Sequence, residues 1–436
     1  MQKTHPVPRD PITDPVYLAS TAVNSLIQTL PAGTAYFIGV VLIVMMSSRL
    51  IYTKGSLARA VFPFVAHLRW GWHRVHRAME RGSFSLDFMF DRAYDWCIRK
   101  LDAQPVCLGP KEREVAAIDS STIARWRAVR RLGLAGKGYY YRAGRAVRAN
   151  IVAVLTSIVL INGIRVGIVR RARFGASCEE AIEGIFKDLP SSDKKRLLVV
   201  DAGIATKDQF AAATEQDALM GRLRINCKLR LKPPPKTGKP GRPPEHGAVL
   251  HPGREGPEVE PDEEIRLPGE KGEIRLRRWE EVHYEEEKET LLDVVRVDDP
   301  AYDRPLIVAS TARELSTEEF LIGYGHRSPV ETNFYVAQDS AAMEMPRAYT
   351  EKAIERRITL ALMSGVMLKA IAAKTGAIAT GPWDRKPEAT GGRLAIHLDM
   401  QAKEFSDLAL KGVEPRKYRK KQSATKTKGL HEKAAA

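Results

Sequence analysis

Cysteine is scarce in this chain, and the few thiols are not spaced as metal ligands or disulfide partners. The four cysteines, Cys97, Cys107, Cys178 and Cys227, include no CxxC pair and show no even rhythm. This pattern argues against a zinc ribbon and against a secreted, disulfide-held scaffold. It favours a protein of the reducing cytoplasm.

Acidic residues are missing from a long central stretch. No Asp or Glu occurs from Ser120 to Cys178, although arginines are frequent there, and the 436-residue chain has a formal charge of +16. Cations that neutralise phosphates release condensed counterions, so this balance favours a polyanionic partner. Nucleic acid is the first candidate and an anionic membrane surface is the second.

Long apolar runs are also scarce, and the one that raises a membrane question extends from Thr34 to Met46. It is shorter than the ~20 residues that cross a bilayer as a helix, and Pro31 and Gly33 interrupt its extension upstream. We expect a buried core helix here. A membrane-associated basic protein is an alternative that depends on this run alone.

Composition divides the chain into segments. The sequence predicts five of them: residues 1–105, helical; residues 110–232, the first part of an α/β core; residues 233–304, a β-rich insertion; residues 305–378, the second part of the core; and residues 379–436, a basic and partly disordered tail. Basic residues of the helical segment suit helix-turn-helix binding to duplex DNA, and an ordinary solvated helical face is the alternative. Proline and glycine in "KPPPKTGKPGRPPEHG" mark the start of the insertion.

Two apolar strands each lead to an aspartate. The run "REVAAIDSST" predicts a strand that ends in Asp119, and "KRLLVVDAG" predicts one that ends in Asp201. Between them, Asn162 and Gly163 break a β-branched run and predict a hairpin. Helices are predicted at "SCEEAIEGIFKDL" and at "TKDQFAAATEQDALMGRL". The pattern is that of a mixed α/β unit.

A third carboxylate lies beyond the insertion, in "YGHRSPVETNFYVAQDS". Tyr324, Arg327 and Glu331 are spaced so that one helix would carry them on one face. Ser316 and Glu319 predict a capping box before that helix. Three carboxylates in one domain suit two divalent cations, which activate a water or hydroxyl and stabilise the leaving oxygen of a phosphodiester. A turn or helix-cap role for each aspartate is the plainer alternative.

Together these stretches resemble the three signature regions of DDE transposases encoded by bacterial insertion sequences. The resemblance is to the group whose third region reads Tyr, two residues, Arg, three residues, Glu, six residues, Lys. It covers about Val115 to Glu344. Tyr324, Arg327 and Glu331 match in type and spacing, and Gln338 stands where that group has lysine.

The resemblance implies an RNase H-like catalytic domain with a β-rich insertion, preceded by a helical N-terminal domain. Asp119 on the first strand, Asp201 on the fourth and Glu331 on a late helix would be catalytic and would hold two Mg²⁺ or Mn²⁺ ions. The implied function is DNA transposition, in which a cytoplasmic, nucleoid-associated homodimer cleaves terminal inverted repeats and transfers the strands to target DNA. The alternative is a non-catalytic DNA-binding protein derived from a decayed transposase, which Gln338 favours.

Several side chains are candidates for contact with DNA. Taken from the third motif, the basic stretch and the proline-rich loop, they are Tyr324, Arg327, Arg125, Arg130, Arg131 and Arg242. The first two would bind phosphates near the cleavage site, and Arg242 would enter a minor groove or belong to a plain linker. The three tyrosines at 139–141 suit either stacking on unpaired bases or ordinary sheet positions.

Overall fold

The computed structural model describes residues 13–61, 72–125, 135–234, 245–254, 259–348, 350–381 and 383–414. Helices α1 to α13 of these ranges span Pro15–Ile27, Ala32–Met46, Arg49–Tyr52, Leu57–Val61, Trp72–Arg81, Leu86–Lys100, Cys178–Lys187, Lys207–Ala211, Thr317–Gly325, Ser328–Asp339, Glu351–Thr375, Gly391–Met400 and Ala402–Ala409. Strands β1 to β14 span Gln104–Pro105, Cys107–Leu108, Arg113–Ala124, Ala135–Tyr140, Arg145–Ile161, Ile164–Gly175, Arg196–Val200, Asp217–Arg222, Leu229–Arg230, Val249–Leu250, Glu263–Gly269, Gly272–Tyr284, Glu287–Asp298 and Leu306–Ser310.

The strands join in one mixed sheet, so the predicted α/β class is confirmed. Its order is β1-β5-β3-β7-β8-β14-β13-β12-β9-β10, and β2, β4, β6 and β11 pair beside this path. β3, β5 and β6 are antiparallel neighbours, whereas β7 runs parallel to both β3 and β8. The strands of the insertion continue the same sheet through β14, which pairs with β8 and β13.

The predicted hairpin at Asn162 and Gly163 is confirmed. These two residues connect β5 to β6, and both have positive φ, 48° and 76°. Two consecutive left-handed residues form the turn that matches the twist of paired strands, and Asn followed by Gly is the sequence that adopts it at least cost. The long central hairpin of the sheet therefore follows from local chemistry.

Alternate residues of the central strands face two different cores. Val115 and Ala117 on β3 join a core with the N-terminal helices and α10 to α13, whereas Ala116 and Ile118 join a core with α7 and α8. This alternation is the two-residue period of a strand that is buried on both faces. The sheet is thus a central layer between two layers of helices.

The N-terminal helices share their core with the helices at the end of the chain. α1, α2, α5 and α6 all pack against α11, and α1 also packs against α13. Every residue of α2 from Thr34 to Met46 is buried, so the predicted core helix is confirmed. By length and composition α11 qualifies as a membrane span, but 83% of its most apolar window is buried inside the protein.

Two stretches differ from their predicted secondary structure. The single helix predicted from Thr206 to Leu223 is a short helix, α8, followed by strand β8. β8 forms because β7 and β14 pair with it on both sides, which no local pattern reveals. In the segment predicted as a basic tail, α12 and α13 are formed, and the residues after 414 lie outside the described ranges.

Candidate active site

Two parallel strands bring Asp119 and Asp201 side by side. β3 and β7 are in register as far as Ile118 and Val200, so the next residue on each is an aspartate. Ile118 and Val200 face the α7 side, and alternation therefore turns both aspartates towards the opposite side. The prediction that the first strand ends at Asp119 is wrong, because β3 continues to pair with β5 as far as Ala124.

Tyr324 covers Asp201 from the helical side. Its hydroxyl donates to Asp201 Oδ1 at 3.2 Å. α9, which carries Tyr324, begins with the predicted capping box, in which Ser316 and Glu319 each bind the other's backbone N–H. Burial raises the pKa of Tyr324, and the charge of Asp201 raises it further, so the phenol keeps its proton and remains a donor.

Arg327 links Asp119 to Glu331. Its Nη1 atom lies 3.1 Å from Asp119 Oδ2, and its Nη2 atom donates to Glu331 Oε1. Burial opposes the charge of Arg327, but the neighbouring acidic groups outweigh burial and raise its pKa. The guanidinium is therefore a permanent cation that holds two of the three carboxylates.

Tyr324 and Glu331 lie on different helices, although the sequence predicts one helix for both. α9 ends at Gly325, and α10 begins at Ser328. Pro329 explains the new start, because it has no N–H to donate and fits only the first turn of a helix. The side chains of the third motif converge because the two aspartates of the sheet bind them.

Asp119 is a weaker acid than an ordinary aspartate. Its side chain is 19% exposed, and burial raises its pKa to about 6. The backbone N–H of Ser120, at 2.7 Å, and the charge of Arg327 lower the pKa, while repulsion by Glu331 and Asp201 raises it. The proton affinity of Asp119 therefore depends on the charges of Glu331 and Asp201 as well as on its burial.

The oxygen donors of Asp119, Asp201 and Glu331 suit Mg²⁺ or Mn²⁺ in chemical type. Within the described ranges, however, no group of three or more His, Cys, Asp or Glu side chains is arranged to hold a metal ion. Arg327 bridges Asp119 and Glu331 and offsets one of their two negative charges. The residues fit a metal by chemistry, and the guanidinium competes with a metal for one oxygen of Asp119 and one of Glu331.

A cleft of about 470 Å³ opens beside Asp119 and Glu331. Its other lining residues come from β3, α10 and the turn before β5, and they are Ser120, Ser121, Tyr141, Thr332, Phe334, Tyr335 and Gln338. Tyr141 and Tyr335 are mostly exposed, so they present aromatic surface at the cleft. Such surface is suited to stacking with a planar group.

Gln338 is 8% exposed, and its Nε2 atom donates to Ser121 Oγ at 3.4 Å. An ammonium comes close from another element, since Lys369 on α11 donates to Thr332 Oγ1 at the cleft wall. Burial lowers the pKa of Lys369 to about 8. Sequence reasoning missed this residue because its helix has the pattern of an apolar core helix.

Of the remaining predicted DNA contacts, the structure describes only Arg125. Arg125 follows β3, and its Nη1 atom donates to the carbonyl of Pro346 at 2.8 Å. Three predicted DNA contacts lie outside the described residues: Arg130, Arg131 and Arg242. Trp279 in the insertion is fully buried and donates from Nε1 to the carbonyl of Val259 at 3.1 Å, so it is a core residue.

Comparison with known proteins adds no relative. No protein-family model matches the chain, and no curated protein is significantly similar to it. Function is therefore inferred from the residues of the cleft and their geometry.

Proposed function

We propose that the protein is a DDE transposase with an RNase H-like catalytic core. The strand order supports this proposal, because β3, β5 and β6 form an antiparallel meander and β7 and β8 extend the sheet parallel to β3. Asp119 lies on the first strand of this unit, and Asp201 follows the fourth, as the resemblance implies. β10 to β13 then separate Asp201 from α10, which carries Glu331.

The convergence of Asp119, Asp201 and Glu331 is the observation that carries the proposal. Arg327 binds two of these carboxylates, and Tyr324 binds the third, although the strands and helices are far apart in sequence. Aspartates that only form turns or caps bind mainly to nearby backbone N–H groups. Here each aspartate also takes a side-chain partner from the distant third motif, as a shared reaction centre requires.

Each of these side chains has a role in phosphodiester cleavage. Asp119, Asp201 and Glu331 would hold Mg²⁺ or Mn²⁺, which would supply an activated water or hydroxyl and a counter-charge for the leaving oxygen. Arg327 offsets part of the negative charge of Asp119 and Glu331 before DNA arrives and then turns to a substrate phosphate, which its planar fork binds well. Tyr324 keeps Asp201 in place through its hydroxyl.

Double-stranded DNA is the proposed partner, in the form of element ends and target. The charge of +16 supplies non-specific affinity for it. Strand transfer needs both ends in one complex, so the active form is a homodimer at the nucleoid. The alternative of a membrane-associated protein depended on the apolar run from Thr34 to Met46, and this run is buried in the core.

A non-catalytic DNA-binding protein derived from a transposase is the second candidate. Gln338 favours it, because an amide at this position adds no charge for the DNA strand. Arg327 also favours it, since a guanidinium that binds both Asp119 and Glu331 competes with metal for them.

Cleavage of an element-end duplex separates the two candidates. The purified protein is incubated with the inverted repeat that flanks its gene, in Mg²⁺, Mn²⁺ and Ca²⁺ in parallel. A transposase cuts at the element end with Mg²⁺ or Mn²⁺, and Asp119→Ala, Asp201→Ala and Glu331→Ala each abolish cutting while they retain binding.

The control is Asp407→Ala, on an exposed position of α13, which should cut like the wild type. Binding without cleavage in every metal would favour the non-catalytic candidate. Wild-type cleavage by any of the three site variants would remove that residue from the site.

A further inference from the structure

Two arginines, Arg125 and Arg357, bind the loop between α10 and α11, and a third arginine, Arg347, belongs to that loop. Arg125 Nη1 donates to the carbonyl of Pro346 at 2.8 Å, and Arg357 Nη1 donates to the next carbonyl, that of Arg347, at 2.7 Å. Arg357 Nη2 also donates to the carbonyl of Gly55 at 3.0 Å. Two guanidinium groups therefore hold the loop from which the exposed side chain of Arg347 extends.

This grouping of like charges is unfavourable in the protein alone. Arg357 is 3% exposed, and burial together with the charges of Arg347 and Arg125 lowers its pKa to about 10. Its Nε atom has no hydrogen-bond partner within the described residues. Buried charge of this kind is strongly destabilising unless something compensates it.

Among the residues that the structure describes, no carboxylate is one of the groups that shift the pKa of Arg357 or of Arg125. In the sequence, the segments that directly follow Val61 and Arg125, residues 62–71 and 126–134, contain no Asp or Glu. Sequences that break a local rule in this way do so mainly at functional sites, and a bound anion would offset this charge.

Arg125 connects this cluster to the candidate active site. Arg125 is six positions after Asp119 in the sequence, and it directly follows the last residue of β3. A strand advances about 3.3 Å per residue, so the cluster lies roughly 20 Å from Asp119 along the strand direction. DNA carries a charge about every 3.4 Å of axis on each strand, so a duplex cut at Asp119 presents further phosphates over that distance.

We propose that Arg125 and Arg347 bind a backbone phosphate of the DNA at a distance from the scissile bond. The identity of this ligand rests on the proposed function, whereas anion binding itself rests on the cluster. Arg347 is the direct contact, since its side chain is exposed. Arg357 is a positioning residue, because its donors hold the carbonyls of Arg347 and Gly55.

Arg347→Ala tests the site with little effect on folding. Binding to the element-end duplex is measured by fluorescence anisotropy in Ca²⁺ over a series of salt concentrations. We expect the affinity to fall roughly three- to tenfold and the slope of log affinity against log salt to decrease by about 1. Arg99→Ala is the matched control, because Arg99 is exposed in the last turn of α6, before β1 at the other end of the sheet.

A methylphosphonate scan locates the phosphate. Single phosphates of the duplex are replaced by neutral methylphosphonates, which should weaken wild-type binding at many positions. When the phosphate that the two arginines bind is the one replaced, neither Arg347→Ala nor Arg125→Ala should lower the affinity further, because the methylphosphonate has already removed that contact. The site is overturned if Arg347→Ala binds like Arg99→Ala, or if its penalty is the same at every methylphosphonate position.

Failure of this site can be told apart from failure of the proposed function. A wild-type protein that binds no element-end duplex contradicts the transposase proposal, and thermal melting with tripolyphosphate then decides the anion site alone. Tripolyphosphate should raise the melting temperature of the wild type more than that of Arg347→Ala. Equal rises would contradict the site.

Discussion

Arg327 and Asp119 form an ion pair across 208 positions of sequence, with Nη1 3.1 Å from Oδ2. The same guanidinium binds Glu331 in the first turn of α10. A cation that joins two candidate metal ligands competes with a metal for both of them. The affinity of these carboxylates for a metal should therefore depend on Arg327.

Removal of this guanidinium should strengthen metal binding while it weakens cleavage. In Arg327→Ala, Mn²⁺ no longer competes with a guanidinium for Asp119 and Glu331. The affinity of the protein for Mn²⁺ should therefore rise by roughly tenfold, equivalent to about 1.4 kcal/mol. Cleavage at saturating Mn²⁺ should fall, because the phosphate loses its cation. Electron paramagnetic resonance of free Mn²⁺ measures the affinity, and an unchanged value would show that Arg327 does not compete with the metal.

Asp119 should make the metal-free protein less stable as the pH rises. Its pKa in the fold is about 6, against an ordinary 3.8, so the folded protein holds this proton more tightly than the unfolded chain does. The contribution of Asp119 to the free energy of unfolding is therefore largest below pH 4. This contribution, on the order of 1–3 kcal/mol, is lost as the pH rises to about 6.

Melting curves from pH 4 to pH 8 without metal check this expectation. Asp119→Asn is neutral throughout, so it should be more stable than the wild type above pH 6 and similar to it near pH 4. Asp407→Asn should follow the wild type. Superimposable curves for Asp119→Asn and the wild type would contradict the raised pKa.

Gln338→Lys should increase the binding of element ends at low salt. The side chain lines the cleft that also contains Asp119 and Glu331, so an ammonium there adds a cation beside the DNA. Because Gln338 is nearly buried, desolvation of the ammonium should keep the gain below about tenfold and lower the stability by roughly 1 kcal/mol. Gln338→Met is the uncharged control, and equal binding by both variants at low salt would exclude a role for charge at this position.

Trp279→Phe should lower stability without changing cleavage. The indole is fully buried and binds the carbonyl of Val259, so its loss leaves a smaller ring and an unpaired acceptor. The expected loss is about 1–3 kcal/mol in urea unfolding. Cleavage is compared at a temperature where both proteins are folded, and a defect in cleavage under these conditions would contradict a purely structural role for Trp279.

Elements set by local chemistry could be predicted from the sequence. Asn162 and Gly163 specify their turn because they adopt positive φ at low cost, and Ser316 and Glu319 specify the start of α9 because they bind each other's backbone. The side-by-side placement of Asp119 and Asp201 needed one more assumption. It depends on the parallel register of β3 and β7, which only the resemblance implied.

Features set by distant partners could not be predicted. The sequence predicted a helix at β8 because alanines precede this segment. The strands that pair with it, β7 and β14, are separate segments of the chain that no local pattern identifies as its partners. The excess of basic residues in the sequence pointed to Arg125 but not to Arg347 or Arg357. These arginines come together at one loop only in the fold, and their spacing in the sequence does not reveal it. The bridge from Arg327 to Asp119 was missed for the same reason.

The burial of α2 against α11 has a consequence for biosynthesis. α2 ends at Met46 and α11 begins at Glu351, so the ribosome completes the apolar helix long before it makes the helix that covers it. At about 5 to 20 residues per second the interval is roughly 15 to 60 s. Throughout that time only the neighbouring N-terminal helices α1 and α3 to α5 can pack on α2, so part of its uncharged surface stays exposed, and a truncated message that stops before α11 should yield a product prone to aggregation.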